Sequence, residues 1–321
     1  MYYYIIDCGS TGSRVYEFKK QHQSIIQDKI YEFGPIIFLL QFYSIPQKFQ
    51  KEKISDKLIK LFKLNICIFI TLLKKKMKTP CTIYFGLTGG VRKFIKENKN
   101  NKNIIGSFDI FFNCLKQNSN KKYQILYDQY YMKNSKECYL EYISCSYLTK
   151  MHSEQKPTGV IGIGGSSIQI SFNNGSKCLL IPFSENIGYD QVRDKLLYSD
   201  KHLEKIILIK LKKKLIPSKL KGIFYGTEAF YYIFKKFNLH NKTYTKLDLL
   251  KIISKLNISI SKKNNNKVKI NLLIIRLLVE NYFDSSSLFI IKTEFGIKNK
   301  LSTSWCFGKF IELSQRIHSI T

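Results

Sequence analysis

Two glycine-rich turns, each directly after an apolar strand-like run, carry the residues of this chain that are best suited to chemistry. The first occupies residues 8–14 (CGSTGSR) and the second residues 164–167 (GGSS). Backbone N–H groups in such turns form a concave anion site, and the Ser and Thr hydroxyls add donors. Glycine allows the positive φ angles and the close approach that such a turn requires. Together the two turns predict a site that binds a polyphosphate from both sides.

Asp7 introduces the first turn and is the candidate metal ligand. A carboxylate there suits a divalent cation, which prefers oxygen ligands and usually keeps several waters. The alternative is that Asp7 only caps the turn through an Asx-type hydrogen bond. The histidines offer no comparable site, because their positions lack a ligand-like spacing: His22, His152, His202, His240 and His318.

Alternating strands and helices must position these turns, which predicts an α/β fold with a mixed sheet. Apolar runs predict strands at residues 3–7, 15–18, 24–33, 82–85 and 125–127, and the remaining periodicity predicts helices over 54–75 and 138–150. The apolar stripe predicted for the first helix is Leu58, Leu61, Phe62 and Ile66. Beyond Pro157, strands at 159–163 and 168–172 flank the second turn. A strand–turn–strand unit repeated after about 150 residues is typical of two related domains around a cleft.

The chain is strongly basic, with 53 Lys and Arg against 23 Asp and Glu and a net charge of +30. Apolar residues make up 44% and aromatic residues 14% of the 321 residues, which excludes a disordered chain. Only five of the basic residues are Arg. Nucleic-acid binders favour Arg for bidentate contacts, and no clear nucleic-acid motif occurs. We therefore interpret the charge as compositional drift, with a functional basic surface as the alternative.

Neither a leader nor a membrane anchor is predicted. The apolar run at residues 64–73 is shorter than the about 20 residues that a spanning helix needs, and residues 2–6 read as a strand. By sequence the protein is therefore expected in the cytoplasm, with a leader removed from the chain as the alternative. The eight cysteines form no C-x-x-C pair and are expected to be buried, reduced thiols. The oligomeric state is left open.

Segments in the same order along the chain resemble the signatures of the apyrases (nucleoside tri- and diphosphate diphosphohydrolases). Residues 6–15 resemble the first signature, D-A-G-S-T-G-S-R, and residues 86–92 (GLTGGVR) the second, G-A-T-A-G-L-R. Residues 137–148 (ECYLEYISCSYL) resemble the third, E-G-x-Y-G-W-x-x-x-N-Y-L, and residues 162–170 (GIGGSSIQI) the fourth, D-L-G-G-A-S-T-Q-I. Looser matches follow at residues 184–192, 225–232, 282–297 and 305–308.

This resemblance implies an actin-like α/β fold of two ribonuclease-H-like lobes with a nucleotide cleft between them. It places the first lobe at residues 1–150, joined by a C-terminal helix at about 304–321, and the second, with a nucleobase-binding segment, at residues 151–303. It also implies hydrolysis of nucleoside tri- and diphosphates with Mg²⁺ or Ca²⁺. Because most apyrases work in the secretory lumen or outside the cell, the resemblance implies one of these compartments.

Individual roles follow from the positions that match the signatures. Glu137 matches the general base that activates water for in-line attack on the terminal phosphorus, which requires hydrogen-bond reach of that water. Asp7 matches a residue that holds the metal through its waters, and Thr88 a polar residue of the catalytic site. Tyr232 matches the residue that stacks on the nucleobase, with Arg276 on the opposite face. The implied phosphate-binding residues are Ser10, Thr11, Gly12, Ser13, Arg14, Gly164, Gly165, Ser166, Ser167 and Gln169.

The chain departs from the fourth signature at Gly162, where the family has Asp. Losing one of two acidic groups at a hydrated cation is expected to misplace the attacking water and to slow turnover about 100-fold or more. If only that carboxylate is missing, Gly162→Asp is expected to raise turnover sharply. Glu141 is a possible local substitute, although on a helix it lies four residues after Glu137. Cys138 in place of Gly and Tyr142 in place of Trp are further departures from the third signature.

Three functions are left open by the sequence. The first is apyrase-like nucleotide hydrolysis, and the second is a catalytically weakened relative that binds nucleotide and acts as a basic interaction protein. The third is an exopolyphosphatase, which shares the glycine-rich turns but does not need Tyr232. Taken alone, Glu137 is better explained as a favourable charge at a helix N-terminus. Tyr231 and Tyr232 are alternatively explained as core aromatics.

Overall fold

In the computed structural model the chain forms two compact units, Met1–Lys133 and Asn134–Thr321. The structure describes residues 1–9, 12–21, 24–34, 52–97, 100, 102–128, 131–164, 167–173, 175–182, 205, 208, 218–261, 266–296 and 300–318. Four of the predicted phosphate-binding residues lie outside this part of the chain: Ser10, Thr11, Gly165 and Ser166. The signature segment at residues 184–192 also lies outside it.

The first unit is built on a five-stranded sheet. Its strands are β1 (Tyr2–Cys8), β2 (Ser13–Gln21), β3 (Ser24–Phe33), β4 (Cys81–Leu87) and β5 (Tyr123–Tyr127), in the order β3-β2-β1-β4-β5. β1 pairs antiparallel with β2 and β2 with β3, whereas β4 and β5 continue the sheet in parallel with β1. The helices are α1 (Glu52–Lys75), α2 (Gly89–Glu97) and α3 (Lys102–Gln117). β4 is buried along its whole length, as expected of a parallel strand covered on both faces.

The apolar stripe predicted for α1 agrees only in part with the hydrophobic core of the first unit. α1 contributes Ile66, Ile70 and Leu73 to this core. Leu61, which was expected beside Ile66, is 50% exposed. Five residues separate the two, which places them about 140° apart around a helix. One narrow buried face cannot hold both.

The second unit is built on a six-stranded sheet with the order β10-β11-β9-β6-β7-β8. Its strands are β6 (Gly159–Ile163), β7 (Ser167–Phe172), β8 (Lys177–Pro182), β9 (Ile223–Glu228), β10 (Thr243–Thr245) and β11 (Leu288–Ile291), and a separate pair is formed by β12 (Glu294–Phe295) and β13 (Leu301–Ser302). Its helices are α4 (Asn134–Met151), α5 (Ala229–Lys236), α6 (Lys246–Ser261), α7 (Asn266–Tyr282) and α8 (Trp305–His318). None of the described helices combines the length and the apolar character needed to cross a membrane.

The two sheets repeat one another. The run β8-β7-β6-β9-β11 has the same strand order and the same strand directions as β3-β2-β1-β4-β5, and β10 is added at one edge. The predicted repeat and the two ribonuclease-H-like lobes are confirmed, whereas the expected boundary near residue 150 stays a prediction. The repeated hairpins even share their register, because Cys8 pairs with Ser13 and Ile163 with Ile168. Four residues separate the paired positions in each case.

Helices lie on both faces of the second sheet. Ile161 and Ile163 of β6 and Ile168 of β7 belong to the core that α5, α6 and α7 complete. On the opposite face α4 packs against β6, β7 and β8, and α8 packs against α4. Ser304 caps α8: its Oγ accepts a hydrogen bond from the Phe307 N–H, 3.2 Å away.

Candidate active site

In the first unit, Asp7 and Arg14 face each other across the β1–β2 hairpin, next to its turn. Directly opposed residues of an antiparallel pair lie on one face of a sheet, and Arg14 Nη1 is 3.7 Å from Asp7 Oδ2. The Arg14 Nε is also 3.2 Å from Oε1 of Glu32 on β3. A hydrogen bond and the charge from Lys29, followed by the charge of Arg14, lower the pKa of Glu32. Arg14 therefore lies between two carboxylates, and an anion that binds it has to compete with both.

Thr88 follows β4 and holds Asp7 in place. Its hydroxyl donates weakly toward Asp7 Oδ1 at 3.5 Å, and its N–H donates to the Cys8 carbonyl oxygen at 3.2 Å. β1 and β4 are parallel neighbours, so their carboxyl ends meet at one edge of the sheet. Thr88 is only 6% exposed. The structure thus brings the predicted polar residue to the predicted metal ligand.

The described part of the first turn is closely packed. The Gly9 N–H donates to the Gly12 carbonyl oxygen at 3.0 Å, and Ser13 is fully buried opposite Cys8. Burial, with a smaller contribution from the Asp7 charge, raises the pKa of the Cys8 thiol. Cys8 is therefore a neutral packing residue at the base of the turn.

In the second unit, Gln169 occupies the place across the hairpin that Arg14 occupies in the first. It pairs with Gly162, as Arg14 pairs with Asp7. Its side chain is buried, at 4% exposure, and its Oε1 has no hydrogen-bond partner among the described residues. Gly164 continues the chain into the turn, and of Ser167 only the backbone, at the start of β7, is described. A buried acceptor without a partner loses its hydration, which makes Gln169 a ready site for a ligand or a water.

A carboxylate already fills the space beside Gly162. A Cβ built on Gly162 lies 2.7 Å from Oε2 of Glu141 on α4 and 3.3 Å from its Oε1. A side chain at position 162 would therefore require the flexible end of Glu141 to shift. The expectation that Gly162→Asp raises turnover stays a prediction, and in this structure it requires the Glu141 carboxylate to move aside.

α4 carries two buried carboxylates on one face. Glu137 is 7% and Glu141 4% exposed, and residues four apart on a helix are neighbours. Glu137 lies in the first turn, where the helix dipole favours a negative charge. Glu141 is a full turn further on, so the dipole does not account for its burial.

The N-terminal part of α4 is tied to the sheet by a disulfide between Cys138 and Cys178 of β8. This corrects the expectation that all cysteines are reduced thiols. That prediction failed because no C-x-x-C spacing marks a bridge between a helix and a strand 40 residues apart. Among the free cysteines Cys67 is exposed, whereas Cys8 and Cys145 are buried as expected.

The two residues predicted to hold a nucleobase lie on neighbouring helices. Tyr232 on α5 is 58% exposed, while Tyr231 beside it is 1% exposed and belongs to the core. Arg276 lies on α7, 3.8 Å from Glu280 Oε1, and α7 packs against α5. Tyr232 thus presents an open ring, and its pairing with Arg276 on a base stays a prediction.

Glu228 is a feature that the sequence analysis did not identify. It ends β9 beside Ile163, at the base of the second turn, with φ 53° and ψ −127°. A positive φ in a non-glycine residue is strained and persists only where its surroundings enforce it. The residue type gives no sign of this conformation, because glutamate has no preference for positive φ angles.

No group of three or more His, Cys, Asp and Glu side chains among the described residues has the arrangement of a direct metal site. A hydrated cation needs fewer protein ligands, because Mg²⁺ keeps several waters and is held by one or two carboxylates. Asp7, at the end of β1 in the first unit, is one such carboxylate.

Solved structures resemble this chain in fold at low sequence identity. No family model and no curated protein sequence matches the chain. The crystal structure of the type II variant of the Aquifex aeolicus Ppx/GppA phosphatase matches with a TM-score of 0.58 at 13% identity, covering 97% of this chain and 99% of that one. A second A. aeolicus Ppx/GppA structure gives 0.56 at 15% identity, covering 98% of each chain. An exopolyphosphatase from Cytophaga hutchinsonii gives 0.53 at 11% identity, again covering 98% of each.

The chain shares the Ppx/GppA fold. The match extends over nearly its whole length. Membership of the apyrase family stays a prediction. Because one fold hosts many activities, the reaction has to be argued from the site residues of this chain.

Proposed function

We propose that this chain is a phosphohydrolase that releases the terminal phosphate of nucleoside tri- and diphosphates with the help of a divalent cation, Mg²⁺ or Ca²⁺. The observation that carries the proposal is the repeated hairpin. Two glycine-rich turns of equal length occupy the same register position, with the carboxylate of Asp7 beside one and that of Glu141 beside the other. Phosphatases and an exopolyphosphatase among the solved structures of the Ppx/GppA fold support this class of reaction.

Glu137 is the general base of the proposed reaction. It accepts a proton from water while the water oxygen bonds to the terminal phosphorus and the bond from phosphorus to the bridging oxygen breaks. The products are inorganic phosphate and the nucleotide shortened by one phosphate. General base catalysis of this kind contributes about 10²- to 10⁴-fold to a rate.

The remaining residues position and neutralise the phosphates. Backbone N–H groups of each turn bind phosphate oxygens, and Arg14 adds a charged donor once an anion displaces its carboxylate partners. Asp7, held by Thr88, would hold the cation through its waters. The cation, when bound, neutralises charge on the transferred phosphoryl group.

Tyr232 favours a nucleotide over a simple phosphate chain as the substrate. Its ring is 58% exposed, and an exposed aromatic face offers a stacking surface for a base. Inorganic polyphosphate is the second candidate, supported by the exopolyphosphatase among the similar structures. Tyr232→Ala separates the two, because it is expected to weaken binding of ATP and to leave binding of tripolyphosphate unchanged.

The Cys138–Cys178 bridge bears on the compartment. Disulfides persist mainly in oxidising environments, so the bridge favours the secretory lumen or the cell exterior over the cytoplasm. Recovery of the bridged peptides from protein isolated in the presence of a thiol-blocking reagent would test this assignment.

The decisive experiment is phosphate release from ATP, ADP, GDP, UDP and tripolyphosphate with Mg²⁺ or Ca²⁺. Glu137→Gln keeps the size of the base and removes its charge, so the rate is expected to fall about 100-fold or more. Asp109→Asn, the same chemical change at an exposed helical position, is the matched control. Binding of nucleotide without phosphate release would instead identify a weakened relative, and equal rates for Glu137→Gln and wild type would refute the assignment of the base.

A further inference from the structure

The helix α1 is apolar on two opposite sides. On the inner side, residues such as Ile66 and Ile70 belong to the core of the first unit. On the outer side, four large aliphatic side chains are between 48% and 57% exposed: Leu61, Leu64, Ile68 and Leu72. At about 100° per residue these four lie within an arc of about 80°, on roughly the opposite side of the helix from the core residues. We call these four residues the outer face of α1.

The outer face concentrates apolar surface in one place. It holds four of the twelve large apolar side chains that are exposed in the described part of the chain, within about three helical turns. Thr71 lies beside it, and the Thr71 hydroxyl donates to the Cys67 carbonyl oxygen of the same helix at 2.8 Å, so this polar group needs no outside partner. A contiguous exposed apolar surface of this kind marks a site for another protein or for a membrane.

Lysines flank the outer face along the chain. Lys60 precedes it, Lys75 and Lys76 follow it, and all three side chains are exposed. The sequence contains neither Asp nor Glu from residue 57 to residue 96, so no acidic residue of this stretch compensates the lysines. A positive rim around an apolar face is complementary to an anionic partner.

The residue types favour a membrane over a protein as that partner. Pairing α1 with a second copy of itself would bring the flanking lysines of both copies together, and like charges across an interface are unfavourable. Protein interfaces in general are enriched in aromatic residues, Met and Arg and are depleted of Lys. The outer face instead presents Leu and Ile between lysines, a composition typical of helices that lie in the headgroup region of a bilayer.

We propose that the outer face of α1 docks this protein on a bilayer that contains anionic lipids. The four aliphatic side chains enter the boundary between headgroups and acyl chains, and the flanking lysines contact the anionic headgroups. The helix lies in the plane of the membrane in this arrangement and does not cross it. The proposal is independent of the proposed hydrolysis, because no predicted site residue lies on α1.

Co-sedimentation with lipid vesicles tests the proposal on the full-length protein. The wild type is expected to bind vesicles of mixed phosphatidylserine and phosphatidylcholine and to bind pure phosphatidylcholine vesicles more weakly. Added salt is expected to weaken binding to the mixed vesicles, because it screens the attraction between lysines and headgroups. Absence of binding to the mixed vesicles at physiological salt would overturn the proposal.

Leu64→Glu/Ile68→Glu tests the apolar contribution. The exposed half of each side chain no longer leaves water on binding, so the affinity for mixed vesicles is expected to fall about 10- to 100-fold. Leu247→Glu/Ile258→Glu is the matched control, because these side chains of α6 in the second unit are 61% and 67% exposed. An equal loss of affinity in both double variants would refute the role of α1.

Lys75→Gln/Lys76→Gln tests the electrostatic contribution. Each lysine near an anionic surface contributes about fivefold to binding, so the double variant is expected to bind about 25-fold more weakly. Lys251→Gln/Lys255→Gln removes the same charge from exposed positions of α6 and is expected to leave the affinity unchanged. If both double variants bind equally, the attraction follows the total charge of the chain and the proposal fails.

Tryptophan fluorescence separates insertion from adsorption. Ile68→Trp adds an indole on the outer face, whereas the natural Trp305 is 4% exposed and supplies a constant background. Mixed vesicles are expected to shift the emission of Ile68→Trp to shorter wavelength and to leave that of Ile258→Trp unchanged. Bound protein without a shift at residue 68 would contradict insertion of the outer face.

Analytical ultracentrifugation without vesicles tests a second copy as the occupant. The wild type and Leu64→Glu/Ile68→Glu are expected to have the same oligomeric state. A wild-type dimer that this double variant abolishes would identify the outer face as an interface between copies and would overturn the proposal.

Discussion

Replacing Gly308 with Ala is expected to force α8 away from α4, the helix that carries Glu137 and Glu141. Gly308 lies in the first turn of α8, and a Cβ built on it falls 1.9 Å from the carbonyl oxygen and 2.6 Å from the carbonyl carbon of Leu140. Both are backbone atoms, so no side-chain rotation relieves the overlap. Ordinary contact begins near 3.4 Å, which means that the helices must separate by about 1.5 Å in a close-packed interior.

The free energy of unfolding is expected to fall by about 3 kcal/mol, the upper end of what overpacking usually costs. Gly106→Ala is the matched control, because a Cβ on this α3 glycine meets nothing within 4 Å. That change is expected to stabilise the first unit by about 0.5–1 kcal/mol through helix propensity. The same replacement of Gly with Ala is thus expected to lower the free energy of unfolding at Gly308 and to raise it at Gly106.

Urea unfolding followed by Trp305 fluorescence measures this difference. Trp305 is the single tryptophan of the chain, begins α8 and is 4% exposed, so its signal reports on the helix that moves. The free energy of unfolding is expected to fall by about 3 kcal/mol per molar urea. A loss of about 3 kcal/mol in that free energy therefore lowers the midpoint of the Trp305 transition by about 1 M. Gly106→Ala leaves that transition at or above the wild-type midpoint. A Gly308→Ala protein that unfolds at the wild-type midpoint would refute the close crossing of α8 and α4.

Two further predictions concern the cysteines. Changing both Cys138 and Cys178 to Ser opens a loop whose ends are 40 residues apart, so the free energy of unfolding is expected to fall by about 4 kcal/mol. Dithiothreitol should reproduce that loss in wild-type protein, and identical urea midpoints with and without reductant would contradict it. Brief iodoacetamide treatment of the folded protein at pH 8 is expected to label the exposed Cys67 and to spare Cys8 and Cys145, because burial raises the pKa of both of these thiols and little thiolate forms. Peptide mass spectrometry measures the labelling, and equal rates at Cys67 and Cys8 would count against the burial.

Local features of the sequence were sufficient to locate the elements around the site. Apolar runs predicted strands that the structure confirms as β1, β4 and β6, and glycine-rich turns marked the end of two of them. These signals work because side-chain alternation and turn chemistry act over a few neighbouring residues. The repeat could be recognised in the sequence for the same reason, since each hairpin has its own strand–turn–strand pattern.

Distant contacts required the tertiary structure. The sequence placed Glu141 one turn after Glu137 and showed Gly162 without its carboxylate, but only the packing of α4 on β6 brings Glu141 to Gly162. The bridge from Cys138 to Cys178 likewise depends on the face that α4 turns to β8. Local propensity and periodicity carry no information on which helix covers which strand. Side chains far apart in the chain meet only when the core brings their elements together, and this packing decided which side chains surround Gly162.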